Sequence, residues 1–167
     1  MEEPEPLLFL KNIIEKVIAR DIPSVLRLAI DELEVIRRLM RFVGRSGIDG
    51  INYSSLSRNV GITKYKAEQY VRCLERAFIL HQVFPAGTNV LREPKVVMTP
   101  PIRLLYRDFE DAVGGLREDF VVDAMKQAGI GLHYLKSTRG TKTPDYLIEG
   151  PHHSLAVEIG GPGKGRQ

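Results

Sequence analysis

Residues 56–83 read LSRNVGITKYKAEQYVRCLERAFILHQV, and this stretch decides the fold. Its first apolar-periodic run ends at Val60, and Gly61 behind it is a natural left-handed turn residue. Thr63 then offers a side-chain acceptor at the start of a longer helix that runs to about Ala77. A short helix, a glycine turn and a longer helix make a helix-turn-helix. Upstream, Ser54 or Ser55 in INYSS can cap the short helix. Downstream lie two strand-like segments, Ile79 to Phe84 and Lys95 to Met98, and the loop between them opens with Pro85-Ala86-Gly87-Thr88. They predict a β-wing, so residues 31–98 are expected to form a winged helix-turn-helix.

Further out, residues 8–20 (LFLKNIIEKVIAR) alternate apolar and charged positions at helical spacing. Asp21-Ile22-Pro23 is expected to stop that helix, because proline disfavours α geometry in the residue before it. Residues 1–30 therefore read as a helical lead-in. A second helix is expected after Asp31, with Glu34 in a capping-box position. It would carry Leu33, Ile36, Leu39, Met40 and Val43 on one stripe and end at Gly44 and Gly47. On the C-terminal side, Pro100-Pro101 leads into a short helix, IRLLYRDF. Gly114-Gly115 then precedes a helix through about Gln127, and three short strands follow at 131–136, 144–148 and 154–159. A helix before several strands is the start of an α/β sandwich, so the fold class is α+β, with residues 99–167 as a second domain. That domain is expected to be incomplete, because the chain stops after its last strand with GGPGKGRQ.

The composition narrows the function. Of 167 residues, 43% are hydrophobic and 27% charged, as in a globular protein. The net charge is +3 and the pI about 9.0, which permits a nucleic-acid partner without requiring one. Cys73 is the single cysteine, so no disulfide framework exists, and a reducing cytoplasmic location is expected. The acidic start MEEPEP is no signal peptide, and no apolar run approaches the ~20 residues that span a bilayer.

Two surfaces carry chemistry. On a helical wheel of the longer helix, Ala67, Tyr70, Val71, Leu74 and Phe78 share the core face. Tyr65, Gln69, Arg72 and Arg76 cluster on the opposite side, flanked by Lys66. An aromatic, an amide and guanidiniums suit the reading of base edges and the gripping of phosphates in a major groove. The same polar face also fits a solvated or protein-docking helix.

The second surface is a set of carboxylates. Phosphodiester hydrolysis with Mg²⁺ needs clustered oxygen ligands and benefits from a nearby lysine. Asp145 heads one strand-like segment (PDYLI), and Glu158 lies in the next (SLAVEI), a spacing that suits a hairpin. Glu118 lies upstream, on the helical segment LREDFVVDAM. Asp145 and Glu158 are candidate Mg²⁺ ligands.

The segments "ARDIPSV", the helix-turn-helix quoted above, "PKVVMTPPIRLLY", "REDFVV" and "KTPDYLIEG…VEIGG" occur in order. Over roughly residues 8–164 this order resembles the C-terminal half of archaeal and bacterial ATPases of the AAA+ superfamily. There a winged helix follows the ATPase core, and a restriction-endonuclease-like PD-(D/E)xK domain comes last. The resemblance implies that Glu118 matches the family's helical Glu, Asp145 the motif Asp and Glu158 the strand acid. It also implies an ATPase core as partner. The chain departs from the pattern in two ways. It has no GxxxxGK[ST], and its tail GGPGKGRQ has no Ser or Thr after Lys164, so no ATP site is expected. Gly160 stands where the lysine of ExK belongs; Lys164, Lys142 or Lys136 is the candidate replacement, with Lys164 the choice.

Other residues read as structural. His152 and His153 are adjacent, so on a strand they point opposite ways. His81 and His133 sit in strand-like apolar surroundings, and Cys73 has no histidine at useful spacing. Lys164 and Arg166 also fit a basic tail. The leading expectation is a DNA-binding, non-motor fragment of an AAA+-type ATPase. The alternatives are a Mg²⁺-dependent endonuclease with a displaced lysine and a protein-docking module that does not touch DNA.

Overall fold

The computed structural model describes residues 5–47, 50–87, 93–135 and 143–160. Helix α1 (Glu5–Lys16) continues through a π-helical turn (Val17–Asp21) into a short α2 (Ile22–Val25). Pro23 therefore does not stop the helix, as the sequence had implied. The backbone widens by one residue instead, and the N–H of Ile22 bonds to the carbonyl of Val17. A π turn shifts the hydrogen-bond ladder just where the ring of Pro23 would meet a carbonyl of the preceding α turn.

Helix α3 (Ile30–Arg45) buries Ile36, Leu39, Met40 and Val43, as its periodicity predicts. Two details differ from expectation. The capping glutamate is Glu32, whose carboxylate accepts the Ala29 N–H at 3.0 Å. Glu34 instead pairs with Arg37 on the surface, at 3.3 Å. Gly44 does not end the helix but lies inside it, buried under the ring of Tyr106. A Cβ there would sit 2.3 Å from Tyr106 Cδ2, so glycine permits a close approach.

The helix-turn-helix forms as read. Helix α4 (Tyr53–Val60) ends at Gly61, which has a left-handed φ of 74°. Helix α5 (Lys64–Arg76) starts under Thr63, whose Oγ1 accepts the Lys66 N–H at 3.2 Å. The cap of α4 is Asn52 and not a serine: Asn52 Oδ1 accepts the Ser55 N–H, and Ser55 Oγ accepts the Asn52 N–H, both at 2.9 Å. Ala67, Tyr70, Val71 and Leu74 are buried. Phe78 is not: the helix has ended, Phe78 adopts φ 58°, and 78% of it is exposed.

Strands β1 (Leu80–Val83) and β2 (Lys95–Met98) form the expected antiparallel hairpin, with Leu80 opposite Met98 and Val83 opposite Lys95. All eight residues are buried, so both faces of the hairpin are covered. Alternation sorts them. Leu80, Val96 and Met98 join the helical core, while Val83 and Val97 join a second core with Val122, Leu132 and Tyr146.

Short α6 (Pro100–Arg103) leads to α7 (Phe109–Gln127), which runs unbroken through Gly114-Gly115. The expected break is absent because Gly115 also serves a close approach, a Cβ there falling 3.0 Å from the Arg103 guanidinium. Strands β3 (Gly131–Tyr134), β4 (Tyr146–Glu149) and β5 (Ser154–Val157) form an antiparallel sheet in the order β3-β4-β5. The two sheets touch through the chain after β1: Tyr134 N–H bonds to Phe84 O, and Ala86 N–H to Tyr134 O, both at 3.0 Å. The result is an α+β fold with two small antiparallel sheets. Among the described residues, the second sheet has these three strands and does not extend into a restriction-endonuclease-like sheet.

Candidate functional site

The outward face of α5 is built as its wheel predicts. Tyr65, Gln69, Arg72 and Arg76 are all exposed. Gln69 Nε2 donates to Tyr65 Oη at 3.0 Å, a bond one helical turn long that fixes the two polar tips side by side. Arg72 leans on Glu68 at 2.6 Å. That pair is an exposed i,i+4 contact, worth only ~0.3–0.5 kcal/mol. Lys66 is held differently. Its ammonium lies 2.7 Å from Glu32 Oε1, which also accepts the Tyr70 hydroxyl at 2.6 Å. The Lys66 bond, then the Tyr70 and Ala29 bonds, bring the Glu32 pKa down to about 2. Lys66 thus ties α5 to the start of α3. Lys64 pairs with Glu93, which also accepts the Ser54 N–H at 2.8 Å.

Two of the three predicted carboxylates belong to a cleft of about 400 Å³ between the end of α3, strand β2 and α7. Glu118 and Asp145 both line it, together with Lys95 and Arg107. Glu118 Oε1 receives the Lys95 ammonium at 2.5 Å and the Tyr146 hydroxyl at 2.7 Å. Asp145 Oδ2 accepts the Ile159 N–H at 2.7 Å. Tyr146 is paired with Val157, so Asp145 and Glu158 are the next positions beyond the ladder. Glu158 is nonetheless exposed and is not among the residues that line the cleft. Among the described residues, no three His, Cys, Asp or Glu side chains gather as a metal site. Asp111 also lines the cleft, and one oxygen each of Glu118 and Asp145 is engaged in hydrogen bonds within the protein. Lys164, Lys142, Lys136 and Arg166 lie outside the described residues.

Lys95 is the cation the sequence reading missed. It is a lysine at the head of an apolar strand (KVVM), and it is buried. A lysine there is costly without a carboxylate partner, which is the signal that could have exposed it. His81 is likewise partnered, its Nε2 lying 2.8 Å from Asp123 Oδ1. His133 lies 3.5 Å from Glu149, while His152 and His153 are exposed. Burial pushes the Cys73 thiol pKa up, away from reactivity.

Three helices in helix-turn-helix order followed by an antiparallel hairpin, with a polar face on the third helix, define a winged-helix-like protein. The chain belongs to the family described as Domain of unknown function (DUF8612), whose model matches residues 2–102. No curated protein matches it. Among solved structures it is similar to "The crystal structure of transcriptional regulator PA3341" at 17% identity, over 72% of this chain and 86% of that one. The TM-score of 0.35 makes that likeness too loose to bear on fold or function. Among the described residues, no helix is long and apolar enough to cross a membrane.

Proposed function

We propose that the protein is a DNA-binding winged-helix module and that α5 is the helix that enters the major groove. The observation that carries this reading is the exposed arc of Tyr65, Gln69, Arg72 and Arg76 on the third helix of a helix-turn-helix. Gln69 and Tyr65 are ordered for base contact by their mutual bond, and the two guanidiniums serve phosphates or guanine edges. The ion pair that Arg72 makes with Glu68 is a weak exposed one. Lys66 positions the helix through Glu32.

The test is the affinity for duplex DNA measured against salt. Each lost phosphate contact makes the log–log slope shallower by about 0.9. Arg72→Gln with Arg76→Gln should therefore flatten it by about 1.8. An unchanged slope and affinity would assign the face to protein docking instead. In the same reading, the resemblance to AAA+ ATPases makes an ATPase core a partner supplied from elsewhere.

A second reading, Mg²⁺-dependent phosphodiester hydrolysis, has one observation in its favour: Glu118 and Asp145 line one cleft, with Lys95 beside them. Glu158 stands outside that cleft, and no metal-dependent step follows from the residues as placed. Plasmid incubated with Mg²⁺ or Mn²⁺ checks it. Nicking that Asp145→Ala abolishes would support it, and intact plasmid would end it.

A further inference from the structure

A second basic surface lies on α3, not on α5, and adjoins the cleft at Ser46 and Gly47. Arg38, Arg41 and Arg45 are spaced i, i+3 and i+7, so they share one helix face. All three are exposed, and together they line a groove of about 470 Å³, whose other walls include Phe42 and Asn59 of α4. Among the described residues, no carboxylate lines that groove. Among the described residues none of the three arginines forms an ion pair, whereas the neighbouring Arg37 is held by Glu15 at 3.0 Å and Glu34 at 3.3 Å. Glu34 and Glu32 of α3 are thus spent on Arg37 and Lys66, and the next turns of the helix carry positive charge alone. Three like charges in one groove repel one another unless an anion joins them.

We propose that this groove grips the sugar-phosphate backbone of a duplex, as a second contact surface beside α5. The spacing fits. Arg38 and Arg45 are seven residues apart, or about 10 Å along the helix axis. One strand of B-DNA presents a phosphate about every 3.4 Å of axis, so three arginines over that length meet about three phosphates. Guanidiniums hold phosphate oxygens through paired N–H donors, which lysines cannot do in the same plane. The inference rests on the reading of the protein as a duplex-binding module, but not on α5 as the helix in the groove.

The experiment measures binding of a fluorescent random-sequence duplex against salt, for the full chain and for variants shown by circular dichroism to be folded. Arg38→Gln, Arg41→Gln and Arg45→Gln together should flatten the log–log slope by about 2.7. The triple change to lysine should keep most of the slope and so exclude a folding defect. A flattened slope here, with none for the Arg72/Arg76 pair, sustains this proposal and overturns the α5 reading. The reverse pattern overturns this proposal alone. Heparin binding that depends on the three arginines while duplex binding does not would also overturn it. Wild-type protein that binds no duplex at low salt ends both.

Discussion

Both carboxylate oxygens of Asp119 are taken by the guanidinium of Arg103. Nε donates to one oxygen and Nη2 to the other, the second bond at 3.0 Å. Asp119 is 0% exposed and Arg103 5%. The remaining Arg103 nitrogen, Nη1, donates to the carbonyls of Val43, Gly44 and Ser46, all at 3.3 Å. Those are orphan carbonyls at the C-terminus of α3, where a cation is also favoured by the helix dipole. Asp119 in turn accepts the Met98 N–H of β2 at 3.2 Å. One buried pair therefore joins the end of α3, the hairpin and α7. Removing either partner strands a buried charge, so Asp119→Ala or Arg103→Met should cost about 3–5 kcal/mol in chemical denaturation. Changing both together to apolar residues should cost clearly less than the sum.

Gly44 is a packing position and not a turn. Gly44→Ala drives a methyl into the ring of Tyr106, which should cost about 1–3 kcal/mol. In a Tyr106→Ala background the same change should cost much less. Thermal melts of the four proteins read the coupling.

Glu32 makes stability depend on acid. Its folded pKa of about 2 lies below the ordinary value of 4.5, chiefly because of Lys66 and then Tyr70. The stabilisation is therefore complete above about pH 4.5 and fades as pH falls towards 2. Urea midpoints of the wild type should fall more steeply across that window than those of Glu32→Gln. Parallel curves would show that Glu32 adds nothing beyond its shape.

Tyr65 carries no charge, so its contribution to DNA binding should be independent of salt. Tyr65→Ala should weaken duplex binding several-fold and leave the log–log slope unchanged, whereas Arg76→Gln should flatten it by about 0.9. Anisotropy titrations at four salt concentrations separate the two effects.

The sequence alone determined the helix-turn-helix, because its signals are local. Gly61 supplies the left-handed turn, Thr63 the cap, and the 3.6-residue stripe from Ala67 to Leu74 the buried face. Such features depend on neighbours within one or two turns, which a string displays. The exposure of Tyr65, Gln69, Arg72 and Arg76 followed from the same stripe. Phe78 escaped it because the helix ends at Arg76, two residues earlier.

Only the tertiary structure decided what lies between distant segments. Gly44 and Gly115 read as breaks, yet each sits inside a helix because a side chain from elsewhere, Tyr106 or Arg103, occupies the space of its missing Cβ. Glu118 read as a helical acid beside a candidate site, and only the fold shows that Lys95 and Tyr146, 23 and 28 positions away, share one of its oxygens. Which partner satisfies a buried charge depends on long-range contacts, and those exist only once the chain has closed.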